Sequence, residues 1–286
     1  MHDIDLRKAL PLPITYMLGL SMVWMTWRTL DVLPLGVDSH AYWAAWAGES
    51  MYDRAPGTLD AYLYSPAFAQ MVWPLAQLPW PVFGVLWALA TVAGLAYLFA
   101  PMGRRWILPM LMLCSPEIAS GNIFWLLAIA AALGLRHPSV WAFVVLTKVT
   151  PALGPIWFAV RREWRNLAVS VVCTAVVVAV SFALSPELWT QWLAFLTDRA
   201  GSSSTRVGAP IFPPLIIRLP LALVLLVATA VTNKRWGLPV AMIWATPVSG
   251  IAAFTILAAL PRLMDDGRKN PPSALPAQQA HKDVRR

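Results

Sequence analysis

Long apolar runs dominate the chain, and polar residues gather in the short breaks between them. Residues 61–103 hold no charged side chain, and 167–184 is a second uncharged run, rich in Val and Ala. A helix needs about 20 mostly apolar residues to cross a bilayer, so the first run is long enough to cross twice. The runs are continuous and do not alternate, which argues against a β-barrel. Apolar segments are expected near 11–29, 65–79, 82–100, 106–116, 121–135, 139–160, 167–184 and 215–232, with a last one at 237–262 crossed once or twice. The pattern predicts an all-α, polytopic transmembrane helical bundle of about nine or ten membrane segments. It occupies residues 1–264; the polar stretch 265–286, with Asp265, Asp266, Pro271 and Pro272, reads as a disordered tail.

Charge adds orientation. Basic clusters stand at Arg7–Lys8, at Arg161, Arg162 and Arg165, and at Lys234–Arg235. The positive-inside rule wants all three in the cytoplasm. That requires an even number of crossings between the first two clusters, so 106–135 crosses twice, dividing at Pro116 and Gly121. Arg104 and Arg105 then fall outside, in conflict with the same rule. Two longer segments, 30–64 and 185–213, face outward on this topology. The first carries a helical-looking stretch, Ser39–Glu49, whose Tyr42, Trp43 and Trp46 suit a helix lying in the membrane interface. No small-residue cleavage pattern precedes Trp24 and Trp27, so the N-terminal run reads as an uncleaved first span.

Composition narrows the function classes. Of 286 residues 58% are hydrophobic and 13% charged, which is not a soluble globular balance. The net charge of +8 sits in short loops and a tail, where topology and anionic headgroups explain it better than nucleic acid does. Cys114 and Cys173 both lie in apolar segments and imply neither a disulfide nor a zinc framework. There is no GxGxxG loop, Walker A, HExxH or GxSxG elbow, so nothing points to a nucleotide or to zinc, and no cofactor or metal is expected.

Several polar residues stand out against this background. Asp38 follows the first span in Gly36-Val37-Asp38-Ser39-His40-Ala41-Tyr42-Trp43. It suits two roles: a helix-start cap after Gly36, or a general base taking a proton from an incoming hydroxyl. No second carboxylate has an obvious partner spacing, which fits direct displacement better than paired-carboxylate hydrolysis. Lys148 lies mid-span, about nine and about twelve residues from the segment's ends, too deep at about 1.5 Å per residue for easy snorkelling. Its natural partner is an anion such as a lipid phosphate, and Pro151 loosens the helix beside it. Arg206 and Arg218 lie on the outward side as candidate cations for a phosphate leaving group, although Arg218 can also snorkel. Asn122, after Gly121, suits a helix cap or a substrate contact. Tyr42, Trp43, Tyr52, Tyr62 and Tyr64 suit either an interfacial belt or a platform for a sugar ring.

In order and spacing these residues resemble glycosyltransferase family 87 (DUF2029) of the membrane GT-C superfamily. The similar features are Asp38-x-x-x-Tyr42, Tyr52-Asp53, Tyr64-x-Pro66-x-Phe68, Pro74-Leu75-x-x-Leu78-Pro79, Gly121-Asn122, and Lys148-x-x-Pro151 closed by Arg161 and Arg162. The resemblance covers about residues 10–165 and thins beyond. It implies a GT-C-like bundle with an outer-face loop bearing an interfacial helix, in a bacterial plasma membrane. It implies transfer of a sugar, mannose first, from a polyprenyl-phosphate donor to a lipid or polysaccharide acceptor at the outer face. Asp38 is then the catalytic base, with His40, Tyr42, Tyr52, Tyr64, Asn122, Lys148, Arg206 and Arg218 as substrate-binding residues. The alternatives are a polyprenyl-phosphate arabinofuranose donor, a lipid-linked sugar translocase, or a non-catalytic envelope protein. The chain departs from the pattern after Trp244-Ala245-Thr246-Pro247, where no histidine follows before the polar tail.

Overall fold

The computed structural model describes residues 11–46, 51–200, 213–247 and 250–269, with the backbone alone at 199–200 and 266–269. Among the described residues there is no strand. The helices are α1 (Leu12–Thr29), α2 (Val37–Ala44), α3 (Pro66–Ala76), α4 (Trp80–Phe99), α5 (Arg104–Leu113), α6 (Ser115–Ser120), α7 (Phe124–Gly134), α8 (Trp141–Thr147) and α9 (Gly154–Val160). They continue with α10 (Trp164–Leu184), α11 (Pro186–Ala200), α12 (Leu215–Val231), α13 (Gly237–Ala245), a 3-10 helix (Ile251–Ala259) and α14 (Leu260–Lys269). Prolines open α1, α3, α4, α6, α9 and α11, where the missing N–H costs nothing because first-turn donors have no helical acceptor.

The surface is apolar where a soluble protein's would be polar. Trp80–Met102 and Trp164–Leu184 are each long and apolar enough to cross a membrane, and only 11% of the second span's most apolar window is buried. Val171, Val172, Val176 and Val180 of α10 are exposed, as are Met17, Trp24 and Trp27 of α1. Such contiguous apolar faces suit hydrocarbon rather than water. The interior is packed through small residues. The buried alanines of α7 (Ala128, Ala130, Ala131, Ala132) and of the 3-10 helix (Ala253, Ala258, Ala259) let these two elements approach closely.

Side-chain contacts give the helix directions. α1 and α5–α6 run the same way: Gly19 packs on Pro109 and Met112, and Thr26 Oγ1 meets Ser115 Oγ at 2.9 Å. α4 and α7 share the other direction. Trp87 Nε1 donates to the Gly121 carbonyl at 2.8 Å, and Gly94 packs on Trp125. α8 turns back beside α7, with Trp141 Nε1 donating to Gly134 O at 3.1 Å. α12 and α13 are antiparallel, Gly237 packing on Thr229 and Arg218 reaching Thr246. Finally Arg262 closes the bundle, its guanidinium donating to Tyr97 O at 2.6 and 3.0 Å.

Two expected spans differ. Segment 65–79 forms only the 11-residue α3, about 16 Å long. It is tied to α2 and the turn after it: Trp46 Nε1, just past α2, donates to Ala69 O, and Trp43 Nε1 to Leu78 O, just past α3. It therefore stays at one end of the bundle. Segment 139–160 is broken at Lys148, whose backbone is extended (φ −135°, ψ 95°), into α8 and α9. α9 then doubles back, Gly154 packing on Trp141 at the start of α8. Pro151 and Pro155 cannot supply the N–H groups that would continue one helix through the break.

These corrections place Arg104–Arg105 at the same end of the bundle as Arg136, Arg161–Arg162, Lys234–Arg235 and Arg262. Arg161 Nη1, donating to Ala230 O at 3.0 Å, links two of these groups directly. With α3 confined to one end, Arg104 and Arg105 no longer stand apart from the other basic residues. Of the expected tail, 265–269 is the last part of α14, and 270–286 lies outside the described residues.

Candidate active site

The opposite end carries the site, and it begins with how α2 is held. An isolated helix of eight residues is not stable in itself, so its position comes from its anchors. Gly36 enters it in the left-handed region (φ 74°), and its N–H donates to Ala119 O at 2.7 Å. Ser39 then packs on Gly121, which ends α6 at φ 70°; a Cβ at Gly121 would lie 2.2 Å from Ser39 Oγ. Only glycine combines that dihedral with that approach. Asp38 sits in the first turn of α2 beside the α6–α7 junction.

Asn122 joins three elements there. Its Nδ2 donates to Asp38 Oδ2 at 2.9 Å. Its Oδ1 accepts from Lys148 Nζ at 3.3 Å and from the Ile123 N–H at 2.7 Å. An amide has donors on one side and an acceptor on the other, so a single Asn bridges carboxylate and ammonium. Lys148 Nζ also lies 3.5 Å from the centroid of the Phe124 ring and 6.0 Å from that of Tyr64. Asp38, Asn122 and Lys148 are all half-buried. The break after α8 delivers Lys148 to this point, and Ser65 Oγ fixes the break by donating to Leu146 O at 2.6 Å.

The tyrosines form the wall behind. Tyr42 and Tyr64 hydroxyls meet at 3.3 Å, Tyr52 donates to Tyr64 O at 3.0 Å, and Tyr62 donates to Ser65 O at 3.1 Å. Tyr42 and Tyr62 are buried against Tyr64 and Phe68, and Tyr52 against Tyr62 and Phe195, while Tyr64 is half-buried. His40 points to the other side of α2. Its Nδ1 meets Asp60 Oδ1 at 2.5 Å, and Arg54 Nη1 donates to Asp60 Oδ2 at 2.9 Å. Burial alone would raise the pKa of Asp60, but the hydrogen bonds and charges of His40 and Arg54 outweigh it and hold the carboxyl below its usual range.

Arg218 sits in the first turn of α12 and is held by backbone carbonyls. Its Nε donates to Pro213 O at 2.7 Å, its Nη1 to Thr246 O at 2.9 Å and its Nη2 to Pro247 O at 3.3 Å. Arg206 lies outside the described residues. Glu117 of α6 is a site neighbour that the sequence pattern did not single out. It is fully buried, its Oε1 accepting the Trp125 N–H at 2.9 Å. One signal was available: Glu117 is the only acidic residue between Asp60 and Glu163. It was lost because a break between apolar runs is where a polar residue is expected.

Chemically, the arrangement offers a carboxylate able to accept a proton and an ammonium able to receive an anion, held in register by one amide. No curated protein and no solved structure matches the chain. A family model, glycosyltransferase family 87, matches residues 62–278. The match includes Tyr64, Glu117, Asn122, Lys148 and Arg218, and begins after Asp38, His40, Tyr42 and Tyr52. It also spans the C-terminal half, where the resemblance had been expected to thin. With most of its length matched, the chain belongs to glycosyltransferase family 87 and is a membrane glycosyltransferase, moving a sugar from a donor to an acceptor.

Proposed function

We propose that the protein transfers a sugar, most simply mannose, from a polyprenyl-phosphate donor to a lipid or polysaccharide acceptor, with inversion at the anomeric carbon. The observation that carries this is the Asp38–Asn122–Lys148 bridge. The donor's phosphate lies at Lys148, whose ammonium has three donors and gives one to Asn122. Asp38 takes the proton of the acceptor hydroxyl as its oxygen forms the new bond to the anomeric carbon. The bond from that carbon to the phosphate oxygen breaks, and the electron pair leaves with polyprenyl phosphate. The Lys148 charge stabilises the charge growing on that phosphate in low-dielectric surroundings. The general base supplies the proton transfer.

The site faces the non-cytoplasmic side in this proposal. The support is the gathering of Arg104, Arg136, Arg161, Lys234 and Arg262 at the other end, which the positive-inside rule assigns to the cytoplasm. The bundle then crosses with α1, α4, α5–α6, α7, α10, α12, α13 and the 3-10 helix with α14, while α8 and α9 re-enter from the cytoplasmic side. Irregular backbone at that depth is tolerated where it lines a cavity or is packed in protein.

The test is transfer of radiolabel from polyprenyl-phosphate mannose to membrane lipids by wild type and Asp38→Ala. Label moving with wild type alone supports the reaction and the base. Transfer by folded Asp38→Ala at the wild-type rate removes Asp38 from that role. No transfer by either, with the arabinofuranose donor also blank, rejects the transferase proposal for these donors.

A further inference from the structure

The carboxyl of Glu117 is fully buried and takes backbone N–H groups of Trp125 and Phe124 at the start of α7, yet among the described residues one of its oxygens is left without a partner. Oε1 accepts the Trp125 N–H, whereas Oε2 is buried with no hydrogen-bond partner among the described residues. Buried carboxylate oxygens left unsatisfied are costly, so such a group calls for a role. Its position supplies one. The residue before α7, Ile123, has no side chain able to cap, and the first-turn N–H groups of a helix need an outside acceptor. Glu117 provides it from the preceding helix, one turn before the Gly121–Asn122 reversal. The same few residues therefore fix where α7 begins and where Asn122 points.

The charges around Glu117 are those of the site. Asp38 of α2 and Lys148 after α8 both act on its charge, and both are bonded to Asn122, five residues further along the chain. Tyr42, Tyr64 and Cys114 are the other titratable groups within its electrostatic reach. Both carboxyls thus lie within the electrostatic reach of one ammonium. An anionic donor phosphate arriving at Lys148 competes with both, and the ionisation of Glu117 changes how much of the Lys148 charge is free to meet it.

We infer that Glu117 is a positioning residue of the transferase, holding the start of α7 so that Asn122 spans Asp38 and Lys148, and setting the charge against which Lys148 receives the donor phosphate. This inference rests on the donor assignment made above, and its test is arranged so that the two can fail separately.

Glu117→Gln keeps an acceptor oxygen for Trp125 and removes the ionisable group. With polyprenyl-phosphate mannose as donor, the expected result is a pH profile of kcat/KM displaced from wild type. Glu117→Asp keeps the ionisable group but withdraws it by one methylene. It should retain the wild-type profile shape while kcat falls about tenfold to hundredfold, the scale of a small misplacement of catalytic groups. A residue that merely caps a helix predicts the reverse: a Gln profile superimposed on wild type, which overturns the inference. If Gln does not fold, Asp decides, and an unchanged kcat overturns it.

The second readout needs no substrate. The Lys148 amine is followed by NMR in protein with isotope-labelled lysine, its resonance assigned by loss in Lys148→Arg. A titration midpoint that moves between wild type and Glu117→Gln supports the coupling, and an identical midpoint overturns it. If wild type transfers no sugar, the donor assignment fails while this comparison still decides whether Glu117 sets the charge at Lys148.

Discussion

Lys148 and Arg218 are both cations within apolar helical segments, and their surroundings differ in kind. Arg218 is enclosed by backbone carbonyls: Pro213 just before α12, and Thr246 and Pro247 just after α13. Lys148 instead makes a long 3.3 Å bond to one amide oxygen and rests on the face of Phe124. A planar guanidinium with five donors suits several fixed acceptors, while a flexible ammonium suits an exchangeable ligand. Charge in an apolar segment therefore does not by itself mark a substrate site; what matters is whether the protein already satisfies it.

The largest effect is expected from Lys148→Met, which keeps the approximate length of the side chain and removes its charge. Transfer should fall by about 100- to 1,000-fold in kcat, the usual scale for losing one preorganised electrostatic group. The thermal transition of the detergent-solubilised protein should also fall, because the neighbouring carboxyls lose their cation, so kcat is read per folded molecule. A rate within a few fold of wild type would put Lys148 in the same structural class as Arg218.

Next in size is Gly121→Ala. The added Cβ meets Ser39 Oγ at 2.2 Å in a backbone conformation that L-residues rarely adopt. α2 must shift, carrying Asp38 away from Asn122. The expected loss is about 100-fold in kcat/KM, as for other small misplacements of catalytic groups. Normal activity would mean that the Asp38–Asn122 bond does not matter for transfer.

Arg218→Ala should act on stability rather than chemistry. It strands several carbonyls, each worth about 1–3 kcal/mol when buried without a donor. A lower thermal transition with kcat/KM per folded molecule within about threefold of wild type is expected, a difference near the scatter of a surface change. A selective rise in donor KM without loss of stability would return Arg218 to the phosphate site.

Legibility in the sequence followed the same division. Helical class and apolar surface could be read from the runs alone, because hydrocarbon imposes them on every turn. Asp38, Asn122 and Lys148 stood out as polar residues at boundaries or inside spans, and the structure brings all three together. Their connection was not legible, since it depends on α8 ending at Lys148 and on α6 reversing at Gly121. Segment 65–79 forms only the short α3, since hydropathy does not measure whether a run extends through the bundle or lies across one end. Only the bonds from Trp43 and Trp46 reveal that α3 stays beside α2. The resemblance placed His40 beside Asp38 among the site residues; in the structure the two, two residues apart on α2, point to nearly opposite sides.

The His40–Asp60–Arg54 group gives the smallest and most readily reversed effect, and it offers a third state for the comparison: a charged cluster satisfied by side chains at the surface. The Asp60 carboxyl is held below the usual carboxylate range. A depressed folded-state pKa stabilises the fold fully above the unfolded value of about 3.9, and that contribution is lost as pH falls through the lower folded value. Wild type should therefore lose stability below about pH 4 more steeply than Asp60→Asn, which has no carboxyl to protonate there. Thermal scans of the two proteins between neutral pH and about pH 3 measure the difference. Because the cluster is partly exposed, salt should weaken it, whereas Arg218, enclosed by carbonyls, should be insensitive to salt. Equal acid sensitivity in the two proteins would mean that Asp60 holds the outer segment through its left-handed backbone (φ 60°) alone, leaving its ion pairs without energetic weight.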